Sequence, residues 1–246
     1  MRIDEKTYIY KNIEITVLQS IGNCAEQEDC FNVFRQNDKV AAVISDGVGG
    51  YPGGRKAAEL TVKGCEMFFE SCKNIDELIK KVNSSVVHNE KAGFATLAGI
   101  FYDEPTGNLC YFNSGDSLIF FIDENVKQLS RSHNDENDYI DLGFDSKSAR
   151  YFSRLKSAIG LDLEGHPFYN HGNIKMVDKQ AMVVLLSDGA YDLVEDDFEK
   201  LKFLRTSIVR KRFFESLLKR NIKNADDNVT AVVMRFIEDK EAINVA

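Results

Sequence analysis

The chain has 246 residues, 43% of them hydrophobic, and a formal net charge of -8. This length allows one large domain or two small ones, and the apolar share is enough to bury a sizeable core. The acidic balance argues against a nucleic-acid binder, which usually presents a basic face. The five cysteines are odd in number and form no CxxC pair, which argues against a disulfide framework and against a zinc ribbon.

The distribution of hydrophobic residues does not indicate a membrane segment. The first residues, 1–6, contain no apolar signal region, and no segment approaches the roughly 18 apolar residues of a membrane span. We therefore expect a soluble protein in the reducing cytoplasm that binds neither membrane nor nucleic acid.

The N-terminal half begins with strands and then changes to a helical period. Alternating or continuous apolar runs predict strands at Ile13–Val17, Phe31–Phe34 and Val40–Ile44. A glycine-rich segment, Gly47–Gly54, breaks the pattern. Apolar residues at helical spacing then predict two amphipathic helices, one over residues 58–68 and one over residues 75–86.

The C-terminal half returns to strands, interrupted by one long polar excursion. A turn at residues 103–108 separates two strands of a hairpin, and further apolar runs complete the set: 94–102, 109–113, 118–122, 126–129, 174–177, 182–186 and 229–237. Residues 130–154 are polar and weakly periodic, which is typical of a surface loop. Two short helices are predicted within residues 194–204 and 207–220. No linker divides the chain, so we expect a single domain over residues 1–246.

Adjacent strands joined by short turns favour antiparallel sheets. The order of strands, two helices, many strands, helices and a last strand indicates an α+β fold with helices on the outside of packed sheets.

Several acids stand where a strand ends or begins. Ser-Asp-Gly occurs twice after an apolar strand, at Asp46 and at Asp188, while Asp116 lies in a turn between two strands. Asp227 precedes the last strand, and Glu28-Asp29 precedes an earlier one. Each acid taken alone is readily explained as a turn residue. If they meet in one cleft, they need cations, because clustered carboxylates repel one another.

Hard divalent ions suit such a cluster. Mg²⁺ and Mn²⁺ prefer oxygen ligands and keep several waters. Two of them about 3.5–4 Å apart can share a water, lower its pKa and hold the resulting hydroxide for in-line attack on phosphorus.

Together, the motifs resemble those of the PPM-type (protein phosphatase 2C-like) metal-dependent serine/threonine phosphatases. The matching segments occur in the family's order: Glu28-Asp29, Asp46-Gly47-Val48-Gly49-Gly50, Gly115-Asp116-Ser117, Ser187-Asp188-Gly189 and Asp227-Asn228-Val229-Thr230. The resemblance implies a four-layer α-β-β-α sandwich, with two antiparallel sheets between outer helices. It also implies hydrolysis of phosphoserine and phosphothreonine in proteins that a serine/threonine kinase has modified.

The same resemblance implies roles for individual residues. Asp46, Asp188 and Asp227 would be the catalytic acids, with Asp46 bridging two Mn²⁺ or Mg²⁺ ions. Glu28 and the carbonyl of Gly47 would hold one ion, and Asp188 and Asp227 the other. Asp29 would orient water on the ions, and Asp116 with Asp188 would hold a weaker third ion. The 130–154 excursion would be a flap that influences substrate choice.

Three positions depart from the family pattern, and one of them, Leu118 in place of an arginine, is taken as structural. Cys24 stands where relatives carry an arginine that forks onto the substrate phosphate. Arg55, at the start of the first helix, is a candidate replacement, although an exposed charge at a helix start also explains it. Val48 stands where some relatives carry a histidine that protonates the leaving alcohol, and His133 or water is the alternative donor.

Other functions remain open at this point. A cysteine-dependent phosphatase is disfavoured because no cysteine has arginine six residues later, and an aspartyl-phosphate mechanism because neither Asp46 nor Asp188 begins Asp-x-Asp. The substitution at Cys24 motivates a different class, a non-catalytic metal-binding module that captures phosphoproteins. A purely structural role for the acids, with no metal, is the third alternative.

Overall fold

The computed structural model describes residues 2–149, 154–161, 167–176, 180–203, 207–220 and 226–237. Its strands are β1 (Asp4–Tyr10), β2 (Ile13–Ser20), β3 (Cys30–Gln36), β4 (Lys39–Ser45), β5 (Leu97–Asp103), β6 (Asn108–Ser114), β7 (Leu118–Ile122), β8 (Val126–Gln128), β9 (Asn170–Lys175), β10 (Met182–Leu186) and β11 (Val229–Phe236). They form two antiparallel sheets, ordered β1-β2-β11-β10-β7-β8 and β3-β4-β5-β6-β9.

The helices divide between the two sheets and the polar excursion. They are α1 (Gly54–Phe68), α2 (Ile75–Val87), α3 (Asp135–Asp141), α4 (Ser146–Ala149), α5 (Asp188–Val194) and α6 (Ser207–Arg220), with short 3-10 helices at Phe69–Ser71 and Glu195–Phe203. Among the described residues, no helix is long and apolar enough to cross a bilayer.

Three apolar clusters hold four layers together. Residues of both sheets, such as Val17 and Val40, form the cluster between them. The outer face of the five-stranded sheet packs on α1 and α2, and the outer face of the six-stranded sheet packs on α5 and α6. The predicted four-layer α+β sandwich is confirmed.

Strand β4 shows why these runs are apolar throughout. Val40, Ala42 and Ile44 point between the sheets, whereas Ala41 and Val43 point at the helices. Side chains of a strand alternate between faces, and both faces of β4 are covered. A continuous apolar run is therefore what this position in the fold requires.

The main differences from the sequence prediction concern the outermost strands of the two sheets and the start of one helix. β1 and the early part of β9 were not predicted, and α5 begins at Asp188 where a turn was expected. The polar excursion contains α3 and α4. Residues 150–153, Val177 and Leu204, which the predicted flap, strand and helix included, lie outside the described residues. The single-domain assignment stays a prediction.

The register of the sheets brings distant strand ends to one edge. Cys30 pairs with Ser45, so Glu28-Asp29 and Asp46 are neighbours across β3 and β4. Leu186 pairs with both Leu118 and Ala231, which places the ends of β7, β10 and β11 side by side. Within each sheet, the acidic motifs therefore stand at neighbouring strand ends.

Candidate metal centre

A cleft of about 1240 Å³ opens at this edge of the sandwich. Its lining includes five of the predicted acids and the predicted carbonyl donor: Glu28, Asp46, Gly47, Asp116, Asp188 and Asp227. Asp29 is not part of the lining and is only 4% exposed. The structure thus brings together acids that are as far apart in the chain as Glu28 and Asp227.

Asp46 is fixed by the chain segment that leads into β5. Its carbonyl accepts a 2.8 Å hydrogen bond from the Thr96 backbone N–H, and its own N–H donates to Thr96 Oγ1 at 3.0 Å. The Ser45 hydroxyl donates to the Thr96 carbonyl at 2.6 Å. The backbone that carries Asp46 and Gly47 is therefore held on both sides.

Gly189 allows the segments that carry Asp188 and Asp227 to approach each other closely. A Cβ at this glycine would lie 2.3 Å from the carbonyl oxygen of Asn228 and 3.0 Å from Cβ of Asp227. Backbone hydrogen bonding between Ser187 and Thr230, at 3.0 Å, continues the same contact. The Ser-Asp-Gly glycine is thus needed for Asp188 and Asp227 to share a site.

Asn228 is a positioning residue that the sequence analysis did not single out. Its Oδ1 accepts a hydrogen bond from the Glu28 N–H at 2.6 Å. Its Nδ2 donates to the carbonyls of Ile21 and Glu26 at 2.9 Å and 3.0 Å. A single buried amide therefore holds the loop before β3. The sequence signal was an amide directly after Asp227, which is also a common turn pattern.

Burial and mutual repulsion raise the pKa values of the clustered acids. Burial raises the pKa of Asp29 to about 7. Burial, followed by the charge of Asp188, raises the pKa of Asp116 to about 8 and that of Asp227 to about 6. The same two causes raise the pKa of Asp46 well above its ordinary range. Such a set is ionised together only when positive charge is supplied.

The donor set fits hard divalent cations. Every predicted ligand atom is oxygen, and both carboxylate oxygens of Asp29 are buried without a hydrogen-bond partner of conventional geometry among the described residues. Asp46 and Asp188 lie within hydrogen-bond range of each other. In the described part of the chain, no three His, Cys, Asp or Glu side chains already surround an ion-sized position. Binding an ion therefore requires these side chains to adjust their positions.

Arg55 lies away from the cleft. Its Nη1 donates to the Gln27 carbonyl at 2.7 Å and its Nε to Glu59 Oε1 at 3.3 Å, and it does not line the cleft. These contacts brace the segment that leads to Glu28. They argue against the phosphate contact predicted for Arg55.

The basic side chains that the structure does place on the cleft are Arg154 and Lys156. Arg154 Nε lies 3.1 Å from Asp135 Oδ2, and Lys156 pairs with Asp138. Both project from the end of the polar excursion, which pairs through Leu155 with Asn134. The sequence signal was weak, since alternating basic residues at a loop end are common on surfaces.

Cys24 and His133 have different environments. The Cys24 thiol lines the cleft, and burial together with the charge of Asp227 raises its pKa, so it stays neutral. The His133 ring does not line the cleft. Its Nδ1 accepts from the Gly115 N–H at 3.2 Å, and burial lowers its pKa. A neutral His133 therefore supports the turn that carries Asp116.

An α-β-β-α sandwich with acids gathered at one sheet edge defines the class of PPM-type, protein phosphatase 2C-like proteins. The chain belongs to the family described as Stage II sporulation protein E (SpoIIE), whose model matches residues 36–237. The resemblance stated from the motifs is thereby confirmed.

Relatives in other organisms agree with this assignment. A Mycoplasma genitalium protein described as "Putative protein phosphatase" is 22% identical over 245 residues, covering 88% of this chain and 92% of its own. The serine/threonine phosphatase of S. agalactiae superposes with a TM-score of 0.76 at 18% identity, covering 92% of this chain and 100% of its own. The catalytic domain of the phosphatase PstP, solved with two manganese ions, gives 0.69 at 20% identity, with 92% and 99% covered.

Proposed function

We propose that this protein hydrolyses phosphoserine and phosphothreonine in proteins, using two divalent cations held at the sheet edge. The main support is that one cleft is lined by five acids from distant parts of the chain: Glu28, Asp46, Asp116, Asp188 and Asp227. Membership of a family of metal-dependent protein phosphatases supports the same reaction. The two manganese ions of the PstP structure support the number of ions.

We assign to the side chains the metal-binding roles that the motifs predict. Asp46 would bridge two ions, with Glu28 and the Gly47 carbonyl on one and Asp188 and Asp227 on the other. When bound, the cations activate water and neutralise charge that develops on the phosphate. Mg²⁺ and Mn²⁺ both accept oxygen ligands of this kind.

Neighbouring residues supply the remaining roles in the proposed reaction. The buried Asp29 would accept hydrogen bonds from water in the site, and Asp116 with Asp188 would hold a weaker third ion. Arg154 and Lys156 supply positive charge at the cleft edge, where the neutral Cys24 supplies none. Water serves as the acid for the leaving alcohol, since His133 is engaged with Gly115.

Hydrolysis of a phosphothreonine peptide with and without Mn²⁺ tests the proposal. We expect turnover that needs the metal and falls by orders of magnitude in Asp46→Asn, because Asp46 would contact both ions. Glu90→Gln, which removes an exposed acid that is not part of the cleft lining, is the matched control and should behave like the unaltered protein. Metal-independent turnover, or full activity in Asp46→Asn, would contradict the mechanism.

A non-catalytic phosphoprotein-binding module remains the second candidate only because of Cys24. The retained acids disfavour it. Phosphopeptide binding without turnover, converted to turnover by Cys24→Arg, would support the module instead. We also predict that a serine/threonine kinase supplies the substrate, which deletion of the kinase would check. The cytoplasmic location remains a prediction that co-fractionation would check.

A further inference from the structure

One flank of the cleft is apolar, and the metal chemistry leaves it unexplained. The side chains of Val48, Tyr51, Phe94, Ala158 and Leu161 line the cleft together, and we call this surface the apolar wall. Tyr51 is 62% exposed and Leu161 is 40% exposed. Single exposed apolar residues are ordinary on protein surfaces, but a contiguous set beside a reaction centre points to a ligand.

The apolar wall is built from three chain segments that hydrogen-bond side by side. Val48 N–H donates to the Phe94 carbonyl at 3.0 Å. Ala95 and Ile159 exchange backbone hydrogen bonds of 3.0 Å and 2.8 Å. The rings of Tyr51 and Phe94 lie 5.7 Å apart in an edge-on arrangement. The side chains therefore form one surface, although they come from three regions of the sequence.

Close backbone contacts hold together the loops that carry this surface. A Cβ at Gly53 would lie 2.4 Å from the Lys91 carbonyl, so that only glycine permits the approach of the two loops. Gly160, with φ of +90°, donates its N–H to the Asn83 side chain at 2.7 Å. A preformed apolar surface binds a ligand without paying for its own ordering.

The apolar wall is continuous with the proposed metal centre. Val48 follows Gly47, whose carbonyl is a predicted metal ligand, and Thr96, two residues after Phe94, fixes Asp46. A phosphorylated side chain that reaches the acids therefore brings its neighbours in the peptide onto this wall. The charged side chains in the rest of the lining are mostly acidic, including Glu26, Asp192 and Asp226, and an acidic surface repels carboxylates on the substrate. The basic side chains on the cleft, Arg154 and Lys156, are already paired with Asp135 and Asp138.

We infer that the apolar wall is a specificity subsite that takes an apolar side chain next to the phosphorylated residue, so that the substrates are phosphoproteins with apolar rather than acidic flanks. The inference rests on the proposed function, which supplies the phosphate position. Burial of one apolar side chain against Tyr51 and Leu161 corresponds to about a tenfold preference.

Matched phosphothreonine peptides test the subsite. They carry leucine, glycine or aspartate beside the phosphothreonine, and kcat/KM is measured with Mn²⁺. We expect the leucine peptide to exceed the glycine peptide about tenfold, and the aspartate peptide to be the poorest. Tyr51→Ser and Leu161→Ser should reduce the leucine-to-glycine ratio several-fold. Met67→Ser removes an apolar side chain that is 71% exposed outside the cleft lining, and should leave the ratio unchanged.

A binding arm separates the subsite from the reaction. The same peptides, made with a non-hydrolysable phosphonate in place of phosphate, are titrated by fluorescence anisotropy in the presence of Mn²⁺. Selective binding without turnover of the phosphate peptides would refute the hydrolase and retain the subsite. Turnover with equal kcat/KM for leucine and glycine peptides, or a ratio unaffected by both wall variants, would overturn the subsite. Absence of both binding and turnover would overturn both.

Discussion

Oδ1 of Asn228 accepts a 2.6 Å hydrogen bond from the backbone N–H of Glu28, 200 residues earlier in the chain. Asn228 directly follows Asp227, so one residue links a proposed ligand of each ion. The distance between the two halves of the metal centre therefore depends on a buried amide that would touch neither ion.

Replacing this amide should weaken metal binding. Asn228→Ala leaves the Glu28 N–H and the carbonyls of Ile21 and Glu26 without their partner, at a cost of about 1–3 kcal/mol. Loss of such a supporting contact typically lowers metal affinity about 10–100-fold. Calorimetric titration with Mn²⁺ measures the affinity, and hydrogen exchange over residues 21–28 should speed up without metal. If the hydrogen-exchange rate and the Mn²⁺ affinity were both unchanged in Asn228→Ala, Asn228 would not be a positioning residue of the metal centre.

Gly189 should tolerate no side chain. In Gly189→Ala the added Cβ meets the Asn228 carbonyl at 2.3 Å, and the backbone carrying Asp188 or Asp227 must shift. We expect Mn²⁺ affinity to drop by at least tenfold, with a destabilisation of about 1–3 kcal/mol from overpacking. The matched control is Gly49→Ala, because a Cβ there would contact nothing within 4 Å. Equal Mn²⁺ affinity in the two variants would contradict the close-approach argument.

The thermal stabilisation by Mn²⁺ should grow with pH. Without metal, burial raises the pKa of Asp29 to about 7 and that of Asp116 to about 8. Acids with raised folded pKa values favour the folded state at low pH, and this contribution is lost as pH rises from about 4 to about 8. Cations remove that penalty, while protons compete with them at low pH. The shift in melting temperature on adding Mn²⁺ should be larger at pH 8 than at pH 5. An equal shift at both pH values would argue against these acids as ligands.

A buried ion network supports the opposite end of the six-stranded sheet. Arg235 Nε lies 2.9 Å from Glu14 Oε1, and the fully buried Arg210 contacts Glu14 and Thr16. Burial tends to raise the pKa of Glu14, but the hydrogen bond from Arg235 and the charge of Arg210 outweigh it, and the pKa is lowered. The stabilisation is therefore present above the unfolded pKa and lost as pH falls through the folded one.

Glu14→Gln should accordingly destabilise the protein at pH 7. Removing one partner of a buried pair costs about 3 kcal/mol, because the remaining guanidinium charges stay buried. The difference from the unaltered protein should shrink at acidic pH, as pH falls through the lowered pKa of Glu14 and its carboxylate becomes protonated. Urea unfolding at both pH values measures this. Glu77→Gln breaks a solvent-exposed pair with Lys81 and should change the free energy of unfolding much less than Glu14→Gln does. A difference for Glu14→Gln that persists unchanged at low pH would show that charge is not its cause.

Central strands and amphipathic helices were predictable, whereas edge elements were not. Strand β4 is apolar throughout because both of its faces are covered, and α1 carries a clear helical stripe. Strand β1 lies at the edge of its sheet with much of its surface exposed, and its charged residues give no apolar period. Helix α5 begins on Asp188-Gly189, a pair that local preference alone assigns to a turn.

The amino-acid sequence by itself determined the central strands, the amphipathic helices and the candidate acids, because apolar periodicity and strand-end aspartates are local properties. The four-layer arrangement was implied by the resemblance of the motifs to a known family. Only the tertiary structure decided which side chains share the cleft. Arg55 is not part of the cleft lining, whereas Arg154 and Lys156 are, and Tyr51 and Leu161 line the same cleft. Backbone pairing between segments that are distant in the chain, such as Ala95 with Ile159 and Asn134 with Leu155, brings these residues together, and no local pattern predicts such pairing.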